Sequence, residues 1–142
     1  MRNIVFDDGM LYLGLIELTA SDTYNSYIGR VDTSEDNPLL EVIISEFPEI
    51  GDELIIKDNT LYTHTFFGGN LTTVDLSDNA YPVNSMEQYF GEGFIVIRSI
   101  AVSDTHIYYA TDGTIGRINL DTNEKEILVQ TNYWRLVLRF TP

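Results

Sequence analysis

The residues of this 142-residue sequence that could do chemistry are its 22 carboxylates and two histidines, because it has no cysteine. Two carboxylates flanking a sugar suffice for glycoside hydrolysis, one acting as acid and the other as base or nucleophile. The acids that recur at one position are Asp8, Asp58 and Asp104, and Gly9 and Asn59 follow the first two. An acid beside Gly or Asn is turn chemistry, so turn formation is their first reading. The second is a ring of acids about a common axis, suited to Ca²⁺ or a cationic ligand. Asp32-Thr33-Ser34-Glu35-Asp36-Asn37 and Asp121-Thr122-Asn123-Glu124 resemble calcium loops but lack the central Gly and the closing Glu. His64 and His106 sit at different places relative to the recurring acids and belong to no H-E-x-x-H motif, so both read as structural or exposed. No G-x-S-x-G elbow occurs, Gly91-Glu92-Gly93 is not a phosphate cradle, and the lack of cysteine excludes thiol nucleophiles and disulfides. Asn70-Leu71-Thr72 fits the glycosylation sequon. No catalytic, cofactor-binding or metal-binding residue is assigned, and no cofactor is predicted beyond the Ca²⁺ alternative.

These acids belong to a threefold repeat. Aligned on Tyr12, Tyr62 and Tyr108, the preceding residues are Leu11, Leu61 and Ile107. Four places before each tyrosine stands the recurring acid, six before are Phe6, Ile56 and Val102, and eight before are Ile4, Leu54 and Ile100. Apolar residues two apart mark a strand with one buried face. A second marker follows at Val31-Asp32, Val74-Asp75 and Ile118-Asn119, extended backwards as Ile28-Gly29-Arg30 and Ile115-Gly116-Arg117 in the first and third copies. Each copy then offers a last strand, at Leu39 to Ile44, about Tyr81 to Met86, and Glu126 to Val129. Asp112-Gly113 and Gly68-Gly69 are hairpin signals, whereas the first copy carries a longer polar insert from Thr19 to Ser26. No stretch keeps a 3.6-residue apolar period. The expectation is an all-β chain of three four-stranded antiparallel units, at about 2–46, 52–88 and 94–130.

Four strands at a period in the forties is the spacing of a β-propeller blade. The third copy carries the resemblance best, through Asp104, Ile107-Tyr108-Tyr109, Asp112-Gly113, Ile115, Arg117-Ile118 and Leu120. It resembles blades of the six-bladed YWTD and TolB-like propellers, although Tyr109-Ala110-Thr111-Asp112 replaces the W-T-D signature. The resemblance covers about residues 2–130 and implies architecture, since such folds host unrelated activities.

Three blades do not close a ring, which takes about four to eight. Residues 133–140 alternate strictly, with Trp134, Leu136, Leu138 and Phe140 on one side, and read as one extra C-terminal strand that serves closure. Two copies of three blades would make six, so a homodimer is expected. A larger symmetric assembly, a fragment of a longer chain and a β-sandwich remain as alternatives. Tyr24, Tyr27, Phe66 and Phe67 are the candidate partner-contact residues, for a protein, peptide or glycan. The other tyrosines of the repeat, Tyr12, Tyr62, Tyr108 and Tyr109, read as packing residues.

Eight Lys and Arg leave a net charge of −14, which argues against gripping nucleic acid or an anionic membrane. From Asp32 to Asp58 the acids have Lys57 as their one base, whereas residues 127 onward carry two bases and no acid. Opposite patches can set the register of an association, and a solvated acidic edge is the simpler reading. Apolar runs are too short to span a bilayer and no leader opens the chain, so a soluble protein of undetermined compartment is expected. A non-catalytic binding or scaffold module is the leading functional expectation. A glycosidase- or lactonase-like hydrolase with axial carboxylates is the alternative.

Overall fold

The computed structural model describes residues 3–20, 24–47, 53–64, 70–86 and 96–130. Among them every regular element is a strand. No helix is long and apolar enough to cross a membrane among these residues.

The twelve strands form three antiparallel sheets of four, each in plain sequence order. The first contains β1 (Asn3–Asp7), β2 (Met10–Leu18), β3 (Tyr24–Asp32) and β4 (Glu41–Phe47). The second contains β5 (Leu54–Lys57), β6 (Thr60–His64), β7 (Leu71–Asp75) and β8 (Val83–Met86). The third contains β9 (Ser99–Val102), β10 (His106–Ala110), β11 (Thr114–Asn119) and β12 (Lys125–Gln130). The repeat is therefore structural, and its aligned tyrosines occupy equivalent pairs: Tyr12 faces Arg30, Tyr62 faces Thr73, and Tyr108 faces Arg117.

The turns explain the recurring punctuation. Asp8 and Gly9 have φ of 42° and 81°, and Asp58 and Asn59 have 49° and 57°. Two successive positive φ values are what a two-residue hairpin between twisted strands needs, and Asp, Asn and Gly tolerate them best. After the third strand of each sheet a side chain folds back onto its own backbone. Asp32 accepts from the Ser34 N–H and hydroxyl, Asp75 likewise from Ser77, and Asn119 from the N–H groups of Asp121 and Thr122.

The sheets stack in order. β1 lies against β5, and β5 against β9, so the first strands run side by side. One core joins the first two sheets through Tyr12, Ile28 and Ile44 on one side and Leu54, Leu61 and Val74 on the other. A second joins the next pair through Tyr62 and Leu71 against Ile100, Ile107, Tyr109 and Ile118. The second sheet thus buries both faces, alternating along each strand: Leu61 looks to one neighbour and Tyr62 to the other.

The first copy departs from the sequence reading at Tyr24 to Ser26, which belong to β3, with Tyr24 paired to Leu18 at the end of β2; Thr19 and Ala20 lie outside the strands, and residues 21–23 lie outside the described residues. The Gly68-Gly69 turn and the extra strand over 133–140 lie outside the described residues.

Candidate functional site

Two opposite rims of the sheets, where the strands turn, carry the candidate residues. At the first lie the turns after β1, β5 and β9, holding Asp8, Asp58 and Asp104. Lys57, the last residue of β5, spans the two later turns. Its ammonium pairs with Asp104 and lies 3.7 Å from the Asp58 carboxylate. The hydrogen bond from Lys57 holds the Asp104 carboxyl below its ordinary pKa, and the same contact pushes Lys57 upward. A general acid of a glycosidase needs the opposite, a carboxyl held protonated. Both acids are also open to water, with their side chains almost fully exposed. The structure thus brings Asp58 and Asp104 together around a protein cation, while Asp8 occupies the matching turn of the first sheet. No three acids or histidines among the described residues stand close enough to hold a metal ion.

The second rim carries the β2–β3 hairpin. In the third sheet the last ladder pair of the corresponding hairpin is Ala110–Ile115, the counterpart of Gly14–Ile28, and the Thr111 N–H donating to the Thr114 carbonyl closes its turn. The first hairpin continues past the equivalent Leu15–Tyr27 pair through Ile16, Glu17 and Leu18, an extension of about 10 Å at the usual rise per residue. Its outer part is exposed and partly apolar. Leu18 and Tyr24 face each other across the strands, and Tyr24 is 68% exposed. The Tyr27 hydroxyl donates to Glu17 Oε2 at 2.7 Å, tying the tip crosswise. The contact candidates Tyr24 and Tyr27 are therefore strand residues on a projecting ribbon. Phe66 and Phe67 lie outside the described residues, as do Trp134, Leu136, Leu138 and Phe140.

The histidines separate. His64 is sealed in β6, whereas His106 begins β10 and its Nδ1 lies 2.7 Å from the Thr105 hydroxyl. His106 also lies near Tyr108, with ring centroids 6.0 Å apart. Together with Arg117 and Lys125 it lines a shallow pocket of about 480 Å³ on the outer face of the third sheet.

A scan against protein-family models gives no match, and neither does a search of curated proteins.

Sequence reasoning missed the residues that join sheet to sheet. Glu53, just before β5, accepts from the Ile100 N–H at 2.5 Å and from the Ser99 hydroxyl at 3.0 Å. Its own carbonyl accepts from the Thr63 hydroxyl at 2.8 Å. One residue thus ties β5, β6 and β9. The sequence holds no signal for it, because Asn3 and Ser99 stand at the matching positions. The Arg30–Glu41 and Arg117–Glu126 pairs were findable, since both arginines follow an Ile-Gly and both acids lie in the next strand.

Proposed function

We propose that this chain is a non-catalytic binding or scaffold module of the β-propeller type, completed to a ring by a second copy. It holds a protein, peptide or glycan through the ring face that carries the β2–β3 hairpin. One observation carries the reading. The first hairpin outruns its counterpart in the third sheet and presents Leu18 and Tyr24 side by side at an exposed tip. An exposed aliphatic–aromatic pair on a paired ribbon is a contact surface of low ordering cost, because tyrosine has few rotatable bonds to immobilise. The hydrolase alternative gains nothing from the turn acids. Asp104 is held below its ordinary pKa by the hydrogen bond from Lys57, the reverse of what a general acid needs.

The test is binding of the labelled full chain to immobilised panels of glycans and peptides, compared with Tyr24→Ala and Leu18→Ala. Both substitutions are at exposed positions and should leave the far-UV spectrum unchanged. Loss of a wild-type signal in both variants supports the hairpin as the contact surface. A signal that survives both moves the site elsewhere, and release of a reducing sugar or an opened lactone would reinstate the hydrolase.

A further inference from the structure

Among the described residues, the two outermost sheet faces are counterparts of each other. Each sheet has a face that carries the repeated tyrosine and a face that carries the residue before it. The tyrosine face of the first sheet meets the opposite face of the second, and the tyrosine face of the second meets the opposite face of the third. The stack therefore ends in two unlike surfaces. One is the first-sheet face of Ile4, Phe6, Leu11 and Val31, and the other is the third-sheet face of Tyr108, Ile115 and Val129.

Exposure at equivalent positions shows what each surface lacks. Ile4 is 51% exposed, whereas its counterparts Leu54 and Ile100 are 8% and 3% exposed. Leu11 and Val31 are half-buried where Leu61, Ile107, Val74 and Ile118 are sealed. On the third sheet Val129 is 46% exposed where its counterpart Ile44 is at 9%, and Ile115 is half-buried where Ile28 is sealed. The compared side chains of the first-sheet face are apolar, and soluble chains rarely leave contiguous apolar faces to water, whereas the third-sheet face sets Ile115 and Val129 beside the polar His106, Arg117 and Glu126.

A polar feature gives the register. The third-sheet pocket is built around Arg117, paired with Glu126 as Arg30 is paired with Glu41. Arg30 is covered: the Tyr81 ring from the turn after β7 lies 5.6 Å from its guanidinium carbon. The matching turn after β3 runs Asp36-Asn37-Pro38-Leu39, as the other runs Asp78-Asn79-Ala80-Tyr81, and it leaves Leu39 exposed. That turn also carries Glu35 and Asp36, and the pocket is lined by Arg117 and Lys125 together with Glu124 and Glu126, so the match rests on the repeated turn and not on net charge.

We infer that the first-sheet face of one copy is covered by the third-sheet face of a second copy, with Leu39 of the one seated over Arg117 of the other. A two-fold axis makes this contact twice, uses both bare faces of both chains, and leaves no open end. The inference rests on the propeller reading and specifies its partner surface.

The test is mass in solution by light scattering coupled to size exclusion, on the full chain and two variants. Phe6→Asp lies on the first-sheet face and Val129→Asp on the third, both at exposed positions of the single chain. The wild type should run at twice 16.2 kDa. Each variant alone should run at half the wild-type mass with an unchanged far-UV spectrum. An equimolar mixture of the two should recover dimer, because one unaltered first-sheet face then meets one unaltered third-sheet face. A monomeric wild type, a mass of three or more copies, or a dimer that survives Val129→Asp overturns the inference. None of these outcomes bears on binding at the β2–β3 hairpin, which Tyr24→Ala tests separately.

Discussion

The Tyr109 ring lies across Gly116, its cross-strand partner, so closely that a Cβ on the glycine would overlap the tyrosine hydroxyl and Cζ. The same pair recurs as Leu13–Gly29 in the first sheet and as Thr63–Thr72 in the second. Only the third sheet fills the glycine's space with a sealed aromatic ring. Gly116→Ala should therefore cost about 1–3 kcal/mol, the usual cost of overpacking. Gly29→Ala should cost less, because the nearest atom to its added Cβ is the flexible end of Leu40, at 2.8 Å. Urea unfolding of both variants measures the difference. Equal midpoints would mean that the ring does not need the glycine.

Glu53 is the polar tie between the second and third sheets. β9 is an edge strand of its sheet, and the Ile100 N–H on that edge donates to the Glu53 carboxylate. Glu53→Ala strips that donor of its partner along with the Ser99 hydroxyl, which should cost about 1–3 kcal/mol. Glu53→Gln keeps an acceptor oxygen and should lose less. Amide exchange at Ile100 is the local readout, and it should quicken in the alanine variant before global unfolding does. Unchanged protection would remove Glu53 from any part in holding the sheets together.

The strands were legible because this fold is written in period two and in turn residues. Ile4 and Phe6, Leu54 and Ile56, and Ile100 and Val102 mark the first strands, and Asp-Gly and Asp-Asn fix two of the hairpins by their positive φ. Tyr24 to Ser26 were hidden at the end of a polar stretch that reads as an insert, because strand pairing overrides composition once Leu18 meets Tyr24. The recurring acids were legible as turn residues, but not Lys57 between two of them, since contacts between sheets leave no local pattern. Tyr108 and Tyr109 looked alike in sequence. They point to opposite faces, one bare and one sealed, which only the stacking order decides.

Tyr109 should also set an alkaline limit. Burial pushes its phenol up to about 12 from 10.0. A folded pKa above the unfolded one means that the stability is fully present below pH 10.0 and is lost as pH rises toward about 12. Burial raises Tyr12 and Tyr62 in the same direction. Absorbance of the phenolate, followed with far-UV circular dichroism, should show one late tyrosine step coinciding with unfolding. In Tyr109→Phe the alkaline unfolding should move to higher pH. Ionisation of all tyrosines well before the fold is lost would contradict the sealed position of Tyr109.

Acid should act through four carboxyls of two kinds. Asp32 and Asp75 are held below the usual 3.8 by the Ser34 and Ser77 hydroxyls and N–H groups. Asp104 and Asp112 are held down by hydrogen bonds from Lys57 and Arg98. A depressed folded pKa contributes stability that is present above the unfolded value and is lost as pH falls through the folded one, here below 3.8. The two kinds should part with salt, because exposed ion pairs are screened whereas a serine hydroxyl bond is not. Asn at positions 32 and 75 can still accept the serine N–H but cannot titrate. The double variant Asp32→Asn with Asp75→Asn should therefore narrow the gap between urea midpoints at about pH 7 and about pH 3, at low and high salt alike. Asp104→Asn with Asp112→Asn should narrow it at low salt only. If the first pair leaves the gap unchanged, the folded-back turns after β3 and β7 do not hold their carboxylates in solution.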